Sequence, residues 1–165
     1  MKIIFWNVDT QYDFMRPDGS LYVQGAEKIE KNLEKLTRLA ERERIKVVNT
    51  ADWHNSRSEE LSDNPDFIKT FPKHCMEYTK GVEFVPATNP SNPYRVIHII
   101  DRIQDCFDPR EVLQRRNIIL YKDKFDVFTG NPHTDRIVEL LAPKRAIVYG
   151  VATNVCVDCA VKGLL

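Results

Sequence analysis

The apolar residues of this chain fall into short continuous runs, separated by stretches in which they recur every three or four positions. That alternation predicts strands and helices in turn. Ile3 to Val8 is nearly unbroken in hydrophobicity and stops at Asp9, the pattern of a buried strand with a carboxylate at its C-terminal end. Ile29, Leu33, Leu36 and Ala40 then repeat at helical spacing between about Ala26 and Arg44, with charged residues between them. Ile45 to Thr50 reads as a second strand, Arg95 to Ile100 as a third, Asn117 to Tyr121 as a fourth and Arg145 to Tyr149 as a fifth. Pro109 to Arg116 and Thr134 to Leu141 read as helices between the later strands. This order predicts an α/β fold with a mainly parallel central sheet covered on both faces, and function at the C-terminal strand ends.

Ser56 to Pro93 breaks the pattern. It is polar, weakly periodic and punctuated by Pro65, Pro72, Pro86, Pro90 and Pro93, as expected of a long connection that builds a site or lid. The 165 residues suit one domain, residues 1–165, with a real core. Its 24 basic and 24 acidic residues cancel, so no net field draws in nucleic acid or an anionic membrane, and a small neutral or zwitterionic substrate fits better. The N-terminal apolar run is interrupted by Asp9 before it could become a signal segment, and no stretch is long enough to span a bilayer. A cytoplasmic protein is expected, with Cys75, Cys106, Cys156 and Cys159 as reduced thiols.

Candidate chemistry is densest near the end. Val148 to Cys156 is an apolar strand running into a small-residue turn that delivers a cysteine to the start of a helix. Unpaired N–H groups and the positive helix end there favour a thiolate and can bind a developing oxyanion. Asp9 and Lys122, like Cys156, each follow a predicted strand, so a parallel sheet gathers all three at one rim. Asp52 and His54 follow the second strand at i and i+2, and point the same way from an extended backbone. His74 joins them if the loop folds back. One carboxylate and two imidazoles suit Zn²⁺, Fe²⁺ or Mn²⁺, with Glu59, Glu60 or Asp63 as a fourth ligand and Glu60 favoured. Asp13 reads as a turn carboxylate, Lys124 as a surface lysine, and Cys75, Cys106, His98 and His133 as ordinary packing or loop residues. Cys156 and Cys159 also form Cys-x-x-Cys, which keeps a thiol–disulfide oxidoreductase as the second reading, although Cys159 is more simply a small buried helix residue.

Five segments, Val8 to Phe14, Asp52-Trp53-His54, Thr70 to Met76, Tyr121-Lys122 leading to Phe128, and Gly150 to Val157, together resemble the cysteine amidohydrolases of the isochorismatase-like superfamily, and among them the nicotinamidases. The resemblance implies a three-layer α/β/α fold and hydrolysis of nicotinamide to nicotinate and ammonia through a thioester, a reaction of NAD salvage. It casts Cys156 as nucleophile, Asp9 as its proton acceptor, Lys122 as the charge that holds the site together, and Asp52, His54 and His74 as ligands of a divalent metal. It also implies a cis peptide at Val151–Ala152 aiming the N–H groups of Ala152 and Cys156 at the oxyanion, with Phe14 and Trp53 as walls for a flat ring. A homo-oligomer is implied as well. Two departures stand out. Members usually continue with another strand and helix where this chain ends at Leu165, so the domain reads as C-terminally truncated. Lys73 and Glu77-Tyr78-Thr79 flank His74, where nicotinamidases more often have proline before and a glycine–threonine pair after; another small amide as substrate is the corresponding alternative.

Overall fold

A computed structural model describes residues 2–97 and 107–165. Five strands, β1 (Ile3–Val8), β2 (Lys46–Asp52), β3 (Tyr94–Val96), β4 (Asn117–Lys122) and β5 (Arg145–Gly150), form one sheet in the order β3-β4-β2-β1-β5, every neighbouring pair parallel. The helices are α1 (Tyr12–Met15), α2 (Glu30–Arg42), α3 (Pro109–Gln114), α4 (Val127–Gly130), α5 (Thr134–Leu141) and α6 (Cys156–Leu164), with short 3₁₀ turns at Ala26–Ile29 and Lys80–Val82. The chain leaves β1 toward β2 and β4, then returns across it to β5. That reversal opens a crevice beyond the C-terminal ends of the central strands.

Alternation along β1 assigns its side chains to opposite layers. Ile4, Trp6 and Val8 pack with Ile118 and Leu120 of β4, Ile137 and Leu141 of α5 and Ala160 of α6, and Trp6 stacks on Phe128 at 6.3 Å. Phe5 packs on the other side with Val47 and Ala40, against Leu36 and Leu39 of α2. A third cluster, including Phe14, Met15, Leu33, Val82 and Val85, sits under the site. Local signals set the helix ends. Asp108 caps α3 by accepting from Arg110 N at 2.8 Å, with Pro109 in its first turn, and Asp126 caps α4 through Phe128 N at 3.0 Å.

The expected strands and helices form with small shifts. β2 runs on through Asp52 and β4 through Lys122, so both side chains project from strand residues rather than from the loops beyond. The helix expected from Ala26 begins as a 3₁₀ turn. The third strand covers Tyr94–Val96; the remainder of its expected span from His98, together with Cys106, lies outside the described residues. Among the described residues no helix is long and apolar enough to cross a membrane.

Candidate active site

Four strand ends build one cluster. Asp9 follows β1 with φ 48°, a left-handed conformation that aspartate tolerates. Its Oδ1 accepts from Thr50 Oγ1 at 2.5 Å, while Oδ2 lacks an aligned hydrogen-bond donor and lies 3.0 Å from Nζ of Lys122. Lys122 is paired in register with Asp52 on the neighbouring strand, so both side chains leave the same sheet face, and Nζ also bonds Asp52 Oδ1. All three side chains are buried.

The fourth strand end is made by Gly150, whose φ of 130° and position admit no side chain: a Cβ there would lie 2.0 Å from the Val8 carbonyl oxygen. The chain then passes through a cis peptide at Val151–Ala152 and enters α6 at Cys156. The Ala152 carbonyl accepts from Val155 N and Val157 N at 3.1 and 3.2 Å. Among the described residues the N–H groups of Ala152 and Cys156 donate to no backbone acceptor, and both residues line a cavity. An oxyanion placed there could be met by both.

The charges are unequal in their comfort. Burial pushes the Asp9 carboxyl up, opposed by the Lys122 ammonium and by the hydrogen bond from Thr50, with the Asp52 carboxylate adding to the rise. Burial also pushes the Cys156 thiol well above its usual range, against Lys122 and with Asp9 adding to the rise. The sequence favoured a thiolate from the helix end alone. In the fold, desolvation outweighs that, and the resting group is a neutral thiol. Lys122 itself is held protonated: burial works against its charge, and Asp52 and Asp9 more than compensate.

Beside this cluster, Asp52, His54, Glu60 and His74 bring ligand-type atoms within 4.8 Å of one another, all four residues buried. His54 Nε2 and His74 Nε2 lie 3.8 and 3.3 Å from Asp52 Oδ2. His74 Nδ1 is 2.7 Å from the Pro72 carbonyl, which places its proton there and turns the Nε2 lone pair toward the carboxylate. Both His54 nitrogens are buried without a hydrogen-bond partner among the described residues. Lone pairs facing a carboxylate, and an imidazole with no partner, are what a cation between them would satisfy, so the donor set fits a divalent metal. Of the three acidic residues open as a fourth ligand, Glu59 is exposed and Asp63 is paired with Lys73 on the surface at 3.4 Å. Glu60 is the one turned inward, its Oε2 accepting from Phe125 N at 2.6 Å. Burial, with Asp52 nearby and only partly offset by Lys122, pushes its carboxyl up to about 7.

A cavity of about 160 Å³ joins the two clusters, lined by Asp52, Glu60, His74 and Cys156 and walled by Phe14, Phe67, Phe71 and Phe125. That is well below the roughly 300–1,000 Å³ of pockets for drug-sized ligands and suits a single small ring. Phe14 is among the residues that face this cavity. Trp53 is not, because it sits between Asp52 and His54 on the strand extension and so faces away from the cavity, against Tyr121 and Tyr78 at 4.9 and 5.8 Å. Phe67, Phe71 and Phe125 take that role of wall instead, all from connections whose course the hydrophobic pattern could not trace.

Two further residues position the site. Gln11 is fully buried and grips the backbone of Asp52 from both sides: Nε2 donates to Asp52 O at 2.8 Å and to Val82 O at 3.0 Å, while Oε1 accepts from Asp52 N at 2.7 Å. Asp13 is buried as well. Its Oδ2 accepts from Cys75 N at 2.7 Å, next to His74, and Gly81 packs so close that a Cβ there would lie 2.1 Å from this carboxylate. Asp13 is thus a structural carboxylate that ties three segments together. Cys75 is buried, Cys159 is half-buried and away from the cavity lining, and both are free thiols. Lys124 is exposed, and His133 stacks on Phe107 at 4.9 Å.

The parallel sheet with helices on both faces defines a three-layer α/β protein, with a carboxylate, a lysine and a cysteine gathered at the C-terminal rim of its strands. Residues 4–165 match the Isochorismatase domain, and the chain belongs to that family. It is 26% identical over 173 aligned residues to the nicotinamidase of Saccharomyces cerevisiae, covering 91% of this chain and 75% of that protein. In structure it is similar to the pyrazinamidase of Pyrococcus horikoshii in complex with zinc (TM-score 0.69, 24% identity, 99% of this chain and 79% of that one). It is similar too to the N-carbamoylsarcosine amidase of Thermoplasma acidophilum (TM-score 0.72, 20% identity, 100% and 76%). These structural likenesses bear on the fold.

Proposed function

We propose that this protein is a metal-dependent cysteine amidohydrolase of the cytoplasm that converts nicotinamide to nicotinate and ammonia. The observation that carries the reading is the buried Asp9–Lys122 pair beside Cys156, which itself lines a ring-sized cavity. Sequence similarity to a nicotinamidase supports the choice of amide.

Amides are poor electrophiles with a poor leaving group, so dividing hydrolysis between two acyl transfers lowers the barrier of each. Asp9 takes the Cys156 proton as sulfur bonds to the carboxamide carbon, and the carbonyl oxygen, now an oxyanion, faces the N–H groups of Ala152 and Cys156. Asp9 then returns that proton to the departing nitrogen; the C–N bond breaks, ammonia leaves and a thioester remains. Water gives a proton to Asp9 and its oxygen to the carbonyl carbon, the C–S bond breaks, and the thiolate recovers its proton from Asp9. Lys122 keeps Asp9 ionised between steps by holding a positive charge 3.0 Å away. Asp52, His54, Glu60 and His74 would hold a divalent cation, zinc, iron or manganese, whose chemistry there is to bind a pyridine nitrogen and orient the ring. Phe14, Phe71 and Phe125 would pack on the ring faces.

Ammonia release from nicotinamide, measured beside a panel of other small amides, tests this. The wild type is expected to favour nicotinamide, and Cys156→Ala to lose turnover while Cys159→Ser keeps it. Preference for a ring-free amide would retain the chemistry and reject the substrate. A disulfide between Cys156 and Cys159 required for turnover would reject the hydrolase in favour of a thiol–disulfide oxidoreductase, a reading that leaves Asp9 and Lys122 without a task.

A further inference from the structure

The turn at the mouth of the cavity carries more hydrogen bonds than a plain surface connection. Asp66 Oδ1 accepts from the N–H groups of Ile68, Lys69 and Thr70 at 2.9, 2.8 and 2.8 Å and from Thr70 Oγ1 at 3.1 Å. Asp66 N donates to Thr70 Oγ1 at 3.0 Å, and Phe67 N to Thr70 O at 3.0 Å. Inside this clip Phe67 is held at φ 55°, a conformation that bulky residues rarely adopt and that needs such support. The segment is rooted at the candidate metal set, because Phe71 N donates to Glu60 O at 2.8 Å and Ser62 N to Phe71 O at 2.9 Å. Ring contacts continue inward, Phe67 against Phe71 at 6.5 Å, and Phe71 against His74 and Phe125 at 6.2 and 6.3 Å. Phe67 lines the cavity yet is 63% exposed, so much of its apolar surface is left for a ligand to cover.

We infer that residues 61–71 form a preshaped arm whose tip, Phe67, is the outer wall against which a substrate ring packs, and so selects ring-bearing amides. Asp66 is the positioning residue that holds Phe67 there. This rests on the amidohydrolase reading above and adds a specificity-determining residue to it. Ile68, beside Phe67 but 75% exposed and not lining the cavity, is the internal control.

The experiment measures kcat, KM and equilibrium binding of nicotinamide for the wild type, Phe67→Ala, Phe67→Tyr, Ile68→Ala, Asp66→Ala and Asp66→Asn. Phe67→Ala is expected to raise KM and Kd about tenfold with kcat within about twofold, Phe67→Tyr, which keeps the ring, to recover most of that rise, and Ile68→Ala to stay within about twofold throughout. Asp66→Ala should reproduce the rise in KM, and Asp66→Asn, which keeps an acceptor oxygen, should recover part of it. The melting temperature of Phe67→Ala should match the wild type, since an exposed ring adds little to the core. Wild-type KM and Kd in Phe67→Ala would overturn the inference, as would an equal rise in Phe67→Tyr. Failure of the underlying reading looks different: the wild type itself neither binds nor turns over nicotinamide.

Discussion

Replacing Lys122 by methionine tests how the site balances its charges. The lysine is 1% exposed and lies between two buried carboxylates, that of Asp9 at 3.0 Å and that of Asp52. Methionine fills most of the same volume, so packing changes little and the perturbation is the loss of one positive charge facing two negative ones. Removing one partner of a buried ion pair costs about 3–5 kcal/mol, a large part of the roughly 5–15 kcal/mol that stabilises a domain. At about 2–4 °C per kcal/mol for a chain of this size, the melting temperature should fall by about 6–20 °C. Protonation offers a partial escape, and it sets the sign of the pH dependence. Without the ammonium, burial raises the folded carboxyls above the unfolded value of about 3.9, so the folded state holds protons that the unfolded state releases. Stability of the variant therefore falls as pH rises from about 4 through the raised folded values, and its deficit against the wild type is larger at pH 8 than at pH 5. The assay is thermal unfolding in a chelating buffer at both pH values, with turnover measured beside it. Turnover should drop about a hundredfold or more, since Asp9 spends more time protonated and cannot accept the thiol proton. A melting temperature within about 2 °C of the wild type at both pH values would refute the argument.

Other expectations follow from single contacts. Gln11→Leu removes three hydrogen bonds and strands the Asp52 and Val82 backbone groups, so unfolding should become easier by about 3 kcal/mol or more, read by denaturant titration. Gly150→Ala places a Cβ against the Val8 carbonyl in a left-handed position, and should lower both the melting temperature and turnover, whereas the same change at half-buried Gly25, where a Cβ would meet only the Lys28 side chain at 4.0 Å, should leave turnover unchanged. His54→Ala should abolish retention of a divalent metal, measured by elemental analysis after dialysis, and chelation of the wild type should raise KM for nicotinamide more than it lowers kcat; full metal retention by the variant would remove His54 from the ligand set.

The sheet was legible because its strands are continuous apolar runs, and β1 begins and ends where the hydrophobicity does. α1 and α4 were not, since four residues are too few for a 3.6-residue period to register. In the site, Asp9, Lys122 and Cys156 could be grouped because a parallel sheet places the ends of its strands together, and Asp52 and His54 because an extended backbone aligns i with i+2. Glu60 could be named only as one of three, as nothing in its neighbourhood tells which acid a polar connection turns inward. Gln11 left no signal at all: its partners are backbone atoms of residues 41 and 71 positions away, and backbone atoms carry no sequence. The same holds for the buried ladder of Asn7, Thr10, Asn49 and Thr88 beneath the sheet, whose polar side chains satisfy one another only once the strands pair. For Trp53 the structure follows the alternation of the extended backbone, which turns it away from Asp52 and His54, and not the wall role that the resemblance implied.

The central claim is that Cys156 carries the acyl group, and trapping that species tests it most directly. Nicotinamide is mixed with the protein, quenched in acid within a turnover time, and the intact and digested masses are read. The account predicts one nicotinoyl group on the peptide containing Cys156, labile to hydroxylamine and absent in Cys156→Ala. Wild-type turnover by Cys156→Ala, or the acyl group on any other residue, would contradict it.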